Sequence, residues 1–212
     1  MKYYPVFWNI TGKKCVVVGG GEVAQRKALR LIDCGAKVFV ISPALTGELA
    51  SLKDKNEIIH IAGKYSPSYI EDAALVISAT DDDEVNAAVS RDARTRGIPV
   101  NVVDDPQKCD FILPSLVERG DLTIAVGTAG NSPALARHLR EEMEKTYGEE
   151  YAALNNILGQ LRPKMEKNAE VGKAWFERLM GAGLLDALRR KNREKAKQIV
   201  REATGEEVEF EF

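Results

Sequence analysis

Two metal-ligating residue types are scarce in this chain of 212 residues, which holds three cysteines and two histidines. Cys15, Cys34 and Cys109 are widely spaced and odd in number, which argues against a disulfide framework and against a CxxC zinc site. A reducing compartment, the cytoplasm, is the simplest expectation. The histidines, His60 and His138, are far apart, and no set of His, Cys and acid has metal-ligand spacing, so no metal site is expected. No apolar run reaches the ~20 residues of a membrane-spanning helix. The first residues, with Lys2, Tyr3, Tyr4 and Pro5 before a turn at Thr11-Gly12, do not read as a signal peptide. A formal net charge of −2 gives no general attraction to nucleic acid or anionic lipid. The basic stretch Arg189-Arg190-Lys191-Asn192-Arg193 lies among glutamates, and residues 149–212 hold twelve bases and twelve acids. That stretch reads as a solvated helix face, and neither a nucleic-acid nor a membrane partner is expected.

What is present is an alternation of strands and helices. Residues 14–19 form an apolar run without alternation, stopped by glycines, as in a strand covered on both faces. Val23, Ala24, Ala28, Leu31 and Ile32 then fall near helical spacing, and Gly35 ends the helix. Strands follow at 37–41, 58–62, 73–79 and 99–103, with helices at 44–53 and 83–96. This order implies parallel βαβ units with right-handed crossovers. Past Phe111 the pattern changes. One strand is expected at 122–126, after a polar turn at 119–121. Ser132-Pro133 then opens a helix, with serine at the N-cap and proline at the first helical position. From Glu149 onward helical spacing dominates, with breaks near Pro163 and at 181–183 and room for a strand only in the last few residues. The expected architecture is α/β: a Rossmann-type parallel sheet over 1–113, a dimerisation segment over 114–148, and a small helical C-terminal domain over 149–212.

Gly19, Gly21 and Ala24 make GxGxxA between the first strand and the first helix. The first glycine permits a tight turn and the second lets the backbone approach a pyrophosphate. The small third residue lets the helix pack on the strand, and its N-terminus faces the anion. Glu22 and Val23, on the same turn, join Gly19 and Gly21 as cofactor-binding candidates. A glycine-rich turn with no ligand is the competing explanation. About 20 residues on, where an acid often holds the ribose 2′-hydroxyl, the chain reads Val40-Ile41-Ser42-Pro43. Neither an acid nor a clear arginine stands there, so these residues leave NAD and NADP both open. Ser42, Pro43 and Ala44 are expected along the adenosine, and Thr80 at the next strand end. A plain polar loop, with Asp81 or Asp82 capping a helix, accounts for that strand end equally well.

A longer set of motifs runs in order. Val17-Val18-Gly19-Gly20-Gly21-Glu22-Val23-Ala24 precedes Arg26-Lys27-Ala28. Then come Ala79-Thr80-Asp81-Asp82, Asn101-Val102-Val103-Asp104, Phe111-Ile112-Leu113-Pro114-Ser115 and Gly130-Asn131-Ser132-Pro133-Ala134-Leu135-Ala136-Arg137. In this order and spacing the chain resembles the precorrin-2 dehydrogenase and sirohydrochlorin ferrochelatase family, whose module forms the N-terminal half of longer siroheme synthases. The resemblance is strong over residues 1–145 and loose beyond. It implies NAD as cofactor, a tetrapyrrole substrate, oxidation of precorrin-2 to sirohydrochlorin and, in some members, insertion of ferrous iron at the same site. It also implies a homodimer; at 212 residues the chain is expected to lack the methyltransferase half of the fused enzymes.

Asp104 is expected to end the fifth strand, at the carboxyl edge where open α/β sheets bind ligands. A carboxylate there can accept the proton released on oxidation and those released on chelation. The resemblance assigns it that catalytic role; a turn aspartate before Pro106 is the alternative. Thr128, Gly130, Asn131 and Ser132, at a helix N-terminus, are the substrate-binding candidates for a polycarboxylate. His138 is a weaker candidate on the same helix, while Cys109 reads as a small buried hydrophobe. The competing function is a non-catalytic NAD-binding redox sensor, which would need no carboxylate at Asp104.

Overall fold

The computed structural model describes residues 2–166 and 169–212, and the chain divides into two compact units, 1–113 and 114–212. The first unit is a five-stranded, wholly parallel sheet in the order β3-β2-β1-β4-β5. Its strands are β1 (Lys14–Val18), β2 (Lys37–Ser42), β3 (Ile58–Ala62), β4 (Leu75–Ser78) and β5 (Val100–Val102). Its helices are α1 (Glu22–Asp33), α2 (Gly47–Asp54) and α3 (Asp83–Thr95). This is the Rossmann-type α/β fold expected from the sequence.

The unbroken apolar runs follow from burial on both faces. Cys15, Val17, Val38, Val40, Leu75 and Ile77 pack into one core with α1 and α2 residues such as Ala24, Ala28, Leu31 and Leu49. Their neighbours Val16, Val18, Ile41, Val76, Val100 and Val102 pack into another with Val89 and Ala93 of α3. Successive residues thus point to opposite faces, and each face has its own core. Strand order reverses between β1 and β4, so the carboxyl ends of these two strands open the crevice where such sheets take a ligand.

Several boundaries differ from the sequence-based expectation. The second helix begins at Gly47 rather than 44, because Thr46 caps it and residues 43–45 are spent in the turn leaving β2. β4 starts at Leu75, after a 3-10 turn at Pro67–Ile70 that the apolar pattern does not reveal.

The second unit joins a β-hairpin to helices. β6 (Ser115–Arg119) was not foreseen; it pairs antiparallel with β7 (Leu122–Val126) across Gly120-Asp121. Gly120 has φ +56°, suiting the first position of a two-residue hairpin turn. The helices are α4 (Pro133–Thr146), α5 (Glu150–Met165), α6 (Ala169–Gly181), α7 (Leu184–Arg189) and α8 (Arg193–Thr204). The break expected near Pro163 comes just after Met165, with Pro163 inside the last turn of α5. The later break is at Gly183, which takes φ +80° before α7. The last residues form no strand, but Val208 and Phe210 are buried in the helical core.

Candidate active site

The glycine turn is built from three glycines with three different constraints. Gly19 has φ +125°, and a Cβ there would lie 2.1 Å from Ala79 O at the end of β4. A Cβ on Gly20 would lie 1.9 Å from Ala44 O and 2.6 Å from Ser42 Oγ, beyond β2. These two are fixed by the fold. Gly21 is different: a Cβ there would meet nothing within 4 Å. It is the N-cap of α1, and no side chain caps that end. By contrast Thr46, Asp82, Ser132 and Asn192 cap α2, α3, α4 and α8. The first amides of α1 therefore face an open, glycine-lined approach with no protein acceptor, which suits an anion. Ala24 is fully buried, so the helix packs close behind the turn. Glu22 is exposed and Val23 half-buried on this same turn.

The rim is pinned by side chains. Gly20 O accepts from Thr46 N at 3.0 Å. Thr46 Oγ1 donates to Gln25 Oε1 at 2.6 Å, and Gln25 Nε2 donates to Glu48. Ser42 is buried: its hydroxyl donates to Ala44 O at 2.7 Å and its carbonyl takes His60 Nε2 at 3.0 Å. Its side chain shapes the turn, leaving Pro43 and Ala44 as the exposed residues there. At the end of β4, Ser78 Oγ donates to Asn86 Oδ1 at 2.7 Å, and Asn86 Nδ2 donates to Thr80 O at 2.9 Å. Thr80 Oγ1 accepts from Asp82 N at 3.3 Å, and Asp82 caps α3, so the N-capping role goes to Asp82 and not Asp81.

Asp104 lies two residues beyond β5 rather than on it, in a turn, and has φ +60°. It is exposed and makes no hydrogen bond or ion pair among the described residues. Asp105, next to it, is committed: Oδ1 accepts from Gln107 N at 3.2 Å, and Oδ2 pairs with Lys108 Nζ at 2.7 Å. That pairing holds its carboxyl below the usual carboxylate range. Lys27 of α1 is half-buried. Burial first, and then Arg26, hold its ammonium below the ordinary lysine value, while the negative charge of Asp104 acts the other way. The available carboxylate of this turn is thus Asp104.

In the second unit, residues 127–132 form the loop before α4. Thr128 Oγ1 donates to Ser132 O at 3.1 Å and accepts from Ser132 N at 3.3 Å. Ala129 and Gly130 both take positive φ, +54° and +84°, and Asn131 is exposed. Ser132 caps α4 through Leu135 N at 3.2 Å. His138 is exposed and pairs with Glu142 at 3.5 Å. Arg119 donates to Tyr147 O and Glu144 O at the far end of α4, and Arg140 pairs with Glu144 and Glu141. These two arginines serve the fold of the unit.

Residues 6–115, which carry the glycine turn and the Asp104 turn, match the family described as "Putative NAD(P)-binding". Residues 119–146 match "Sirohaem biosynthesis protein central". The chain belongs to this NAD(P)-binding family, the module found in siroheme synthases. It is 42% identical to the siroheme synthase of Nitrosomonas europaea over 184 residues, covering 85% of this chain and 39% of that protein. It is 40% identical to siroheme synthase 1 of Aeromonas salmonicida over 212 residues, covering 98% of this chain and 45% of that protein. The chain thus spans about two fifths of the length of these relatives. Among solved structures, SirC, a precorrin-2 dehydrogenase, superposes with a TM-score of 0.73 at 23% identity, over 96% of this chain and all of that one. That likeness shows a shared fold.

Within this NAD(P)-binding module the glycines were only partly assigned from sequence. Gly20, a free position in the GxGxxA pattern, is as tightly packed as Gly19. The Thr46–Gln25–Glu48 chain was also missed, because its members lie on separate helices; Thr46 alone, just before Gly47, carried a recognisable capping signal. No group of three or more His, Cys, Asp or Glu able to hold a metal occurs among the described residues, and none of the described helices is long and apolar enough to cross a membrane.

Proposed function

We propose that this chain oxidises precorrin-2 to sirohydrochlorin with NAD in siroheme biosynthesis, and that ferrous iron, as a second substrate, is then inserted with help from the same carboxylate. The observation that carries this reading is the open, uncapped N-terminus of α1 at Gly21, in a chain that also presents one uncommitted carboxylate beyond β5. The residues fit a dinucleotide: Gly19 and Gly20 bring three strand ends together, and Gly21 leaves room for a pyrophosphate. Gly21, Glu22 and Val23 would hold it by backbone amides, over a floor formed by Gly19, whose own N–H donates to Ile41 O at 2.9 Å, with Ser42, Pro43, Ala44 and Thr80 along the rim. When bound, NAD supplies the hydride acceptor. Residues 43–47 carry no cation, and the first charged side chain after them is Glu48. These residues do not discriminate the two cofactors, and the choice of NAD follows the family resemblance.

Oxidation of the macrocycle also releases a proton, and Asp104 accepts that proton. Iron insertion releases two protons from ring nitrogens, and Asp104 again serves as acceptor. In the second unit, the loop of Thr128, Gly130, Asn131 and Ser132 is the proposed contact for the substrate's carboxylates; Asn131 N and Ser132 N are bonded within the loop and Ser132 caps α4, so its contribution is the side chain of Asn131 and the amide of Gly130. The unit is also suited to pair with a second copy as a homodimer. α4 buries only Ala136 along its length, and β6–β7 is a two-stranded sheet, a size that is marginal alone. Three free thiols suit a reducing cytoplasm. The test is anaerobic incubation with precorrin-2 and NAD, with and without ferrous iron, followed by absorbance. Sirohydrochlorin is expected without iron and siroheme with it; unchanged precorrin-2 under saturating NAD would refute the proposal.

A further inference from the structure

β5 is the last strand of the sheet, so its outward backbone groups have no neighbouring strand. The chain that follows supplies partners from its own residues. After Asp104 it makes a 3-10 turn, Pro106–Lys108, and returns along β5. Asp110 closes on Val100 twice: its N–H donates to Val100 O at 2.8 Å, and its Oδ2 accepts from Val100 N at 3.3 Å. Its Oδ1 takes Arg94 Nε of α3 at 3.0 Å, and Ser90 Oγ of the same helix donates to Lys108 O at 3.0 Å. Cys109 does for Val102 what Asp110 does for Val100. Its Sγ accepts from Val102 N at 3.1 Å and lies 3.1 Å from Val102 O and 3.2 Å from Asp105 O, both in reach of its S–H. Burial pushes this thiol's pKa up, so it stays a donor.

The two carbonyls at Cys109 flank Asp104 on either side in sequence. Between them Asp104 is held at φ +60°, the left-handed region that few residues other than glycine, asparagine and aspartate adopt. A loose loop would relax that torsion and swing the carboxylate elsewhere. We infer that residues 105–110 form a strap whose Cys109 and Asp110 are positioning residues for Asp104. They touch no substrate; they hold the turn that aims the carboxylate. The inference rests on Asp104 acting as proton acceptor.

The test compares Cys109→Ala, Asp110→Ala, Cys109→Ser and Asp104→Asn, alone and with each alanine change combined with Asp104→Asn. The readouts are kcat, KM for precorrin-2, NAD affinity and thermal midpoint. Each alanine variant should lower kcat by about tenfold or more, since small displacements of a catalytic group are costly, while NAD affinity holds. Cys109→Ser keeps a donor and acceptor and should restore most of the loss. In the Asp104→Asn background the alanine changes should do nothing further, because the group they aim is gone. Parental kcat in both alanine variants would overturn the inference, as would losses that multiply in the double variants. Should both fail to fold, Ser90→Ala removes one strap bond and should lower kcat by a few-fold, on the order of its hydrogen bond, only when Asp104 is present; no change would overturn the inference. Parental turnover in Asp104→Asn would instead defeat the proton-acceptor reading itself, whatever the strap variants do.

Discussion

Gly20→Ala and Gly21→Ala alter adjacent residues of one turn by the same methyl group, and they should have opposite consequences. At Gly20 the new Cβ would lie 1.9 Å from Ala44 O, a backbone atom that no rotamer change can move. Gly20 O also accepts from Thr46 N, so the turn cannot shift without losing the tie to α2. Overpacking of this kind costs about 1–3 kcal/mol, and a backbone clash belongs at the upper end. At ~2–4 °C per kcal/mol for a chain of this size, ~3 kcal/mol lowers the thermal midpoint by roughly 6–12 °C. At Gly21 the backbone is extended, with φ −85°, and the methyl enters open space, so stability should stay within about 0.5 kcal/mol. That open space is where the pyrophosphate is proposed to lie. Gly21→Ala should therefore weaken NAD binding while leaving the fold intact. Gly21→Asp, which adds a negative charge, should weaken it by at least about tenfold, or ~1.4 kcal/mol. Thermal melts paired with NAD titrations read both effects. A Gly20→Ala chain with the parental midpoint would refute the packing argument, and a Gly21→Asp chain with parental NAD affinity would place the cofactor elsewhere.

Further outcomes are expected. Asp104→Asn should keep NAD affinity and cut precorrin-2 oxidation by about 10²–10⁴, the range for loss of a general base, with chelation falling too; near-parental rates would make Asp104 a turn residue. NAD should outperform NADP in kcat/KM by a modest factor, as the family resemblance implies, and a strong preference for NADP would contradict the choice of cofactor. Light scattering at micromolar concentration should give a dimer mass, and a monomer mass would count against the second unit as an interface. Burial raises the Cys15 thiol from 9.0 to about 11. Between those values the folded chain keeps a proton that the unfolded chain has released, so this group's contribution makes stability fall as pH rises through that window. Cys15→Ala should flatten that decline in denaturant titrations; an unchanged pH slope would contradict the assignment.

The parallel sheet was legible because its signals are local. Uninterrupted apolar runs mark strands covered on two faces, and β1 and β4 show both cores in alternation. The glycine turn was legible as a motif, but the division of labour within it was not. Gly20 is constrained by Ala44 and Ser42, which lie more than twenty residues on, and no local pattern reports such a contact. β6 was missed because Ser115–Arg119 is short and follows Pro114, with neither clear alternation nor a glycine stop before Gly120. Asp104 was found by its position after an apolar run. Its left-handed torsion and the strap that holds it were not visible, since Cys109 and Asp110 act through side-chain bonds back to Val102 and Val100. Ser42 shows the reverse case: its place at a strand end suggested ligand contact, yet its hydroxyl is taken by Ala44 O.

The central claim is that the glycine turn and Asp104 serve one NAD-dependent oxidation. Its most direct test records NADH and sirohydrochlorin together, under anaerobic conditions, from purified chain, precorrin-2 and NAD. The two products should rise in equal amounts, the rate should saturate with NAD, and Gly21→Asp should raise the NAD concentration needed. NAD binding without any NADH formed from precorrin-2 would contradict the claim.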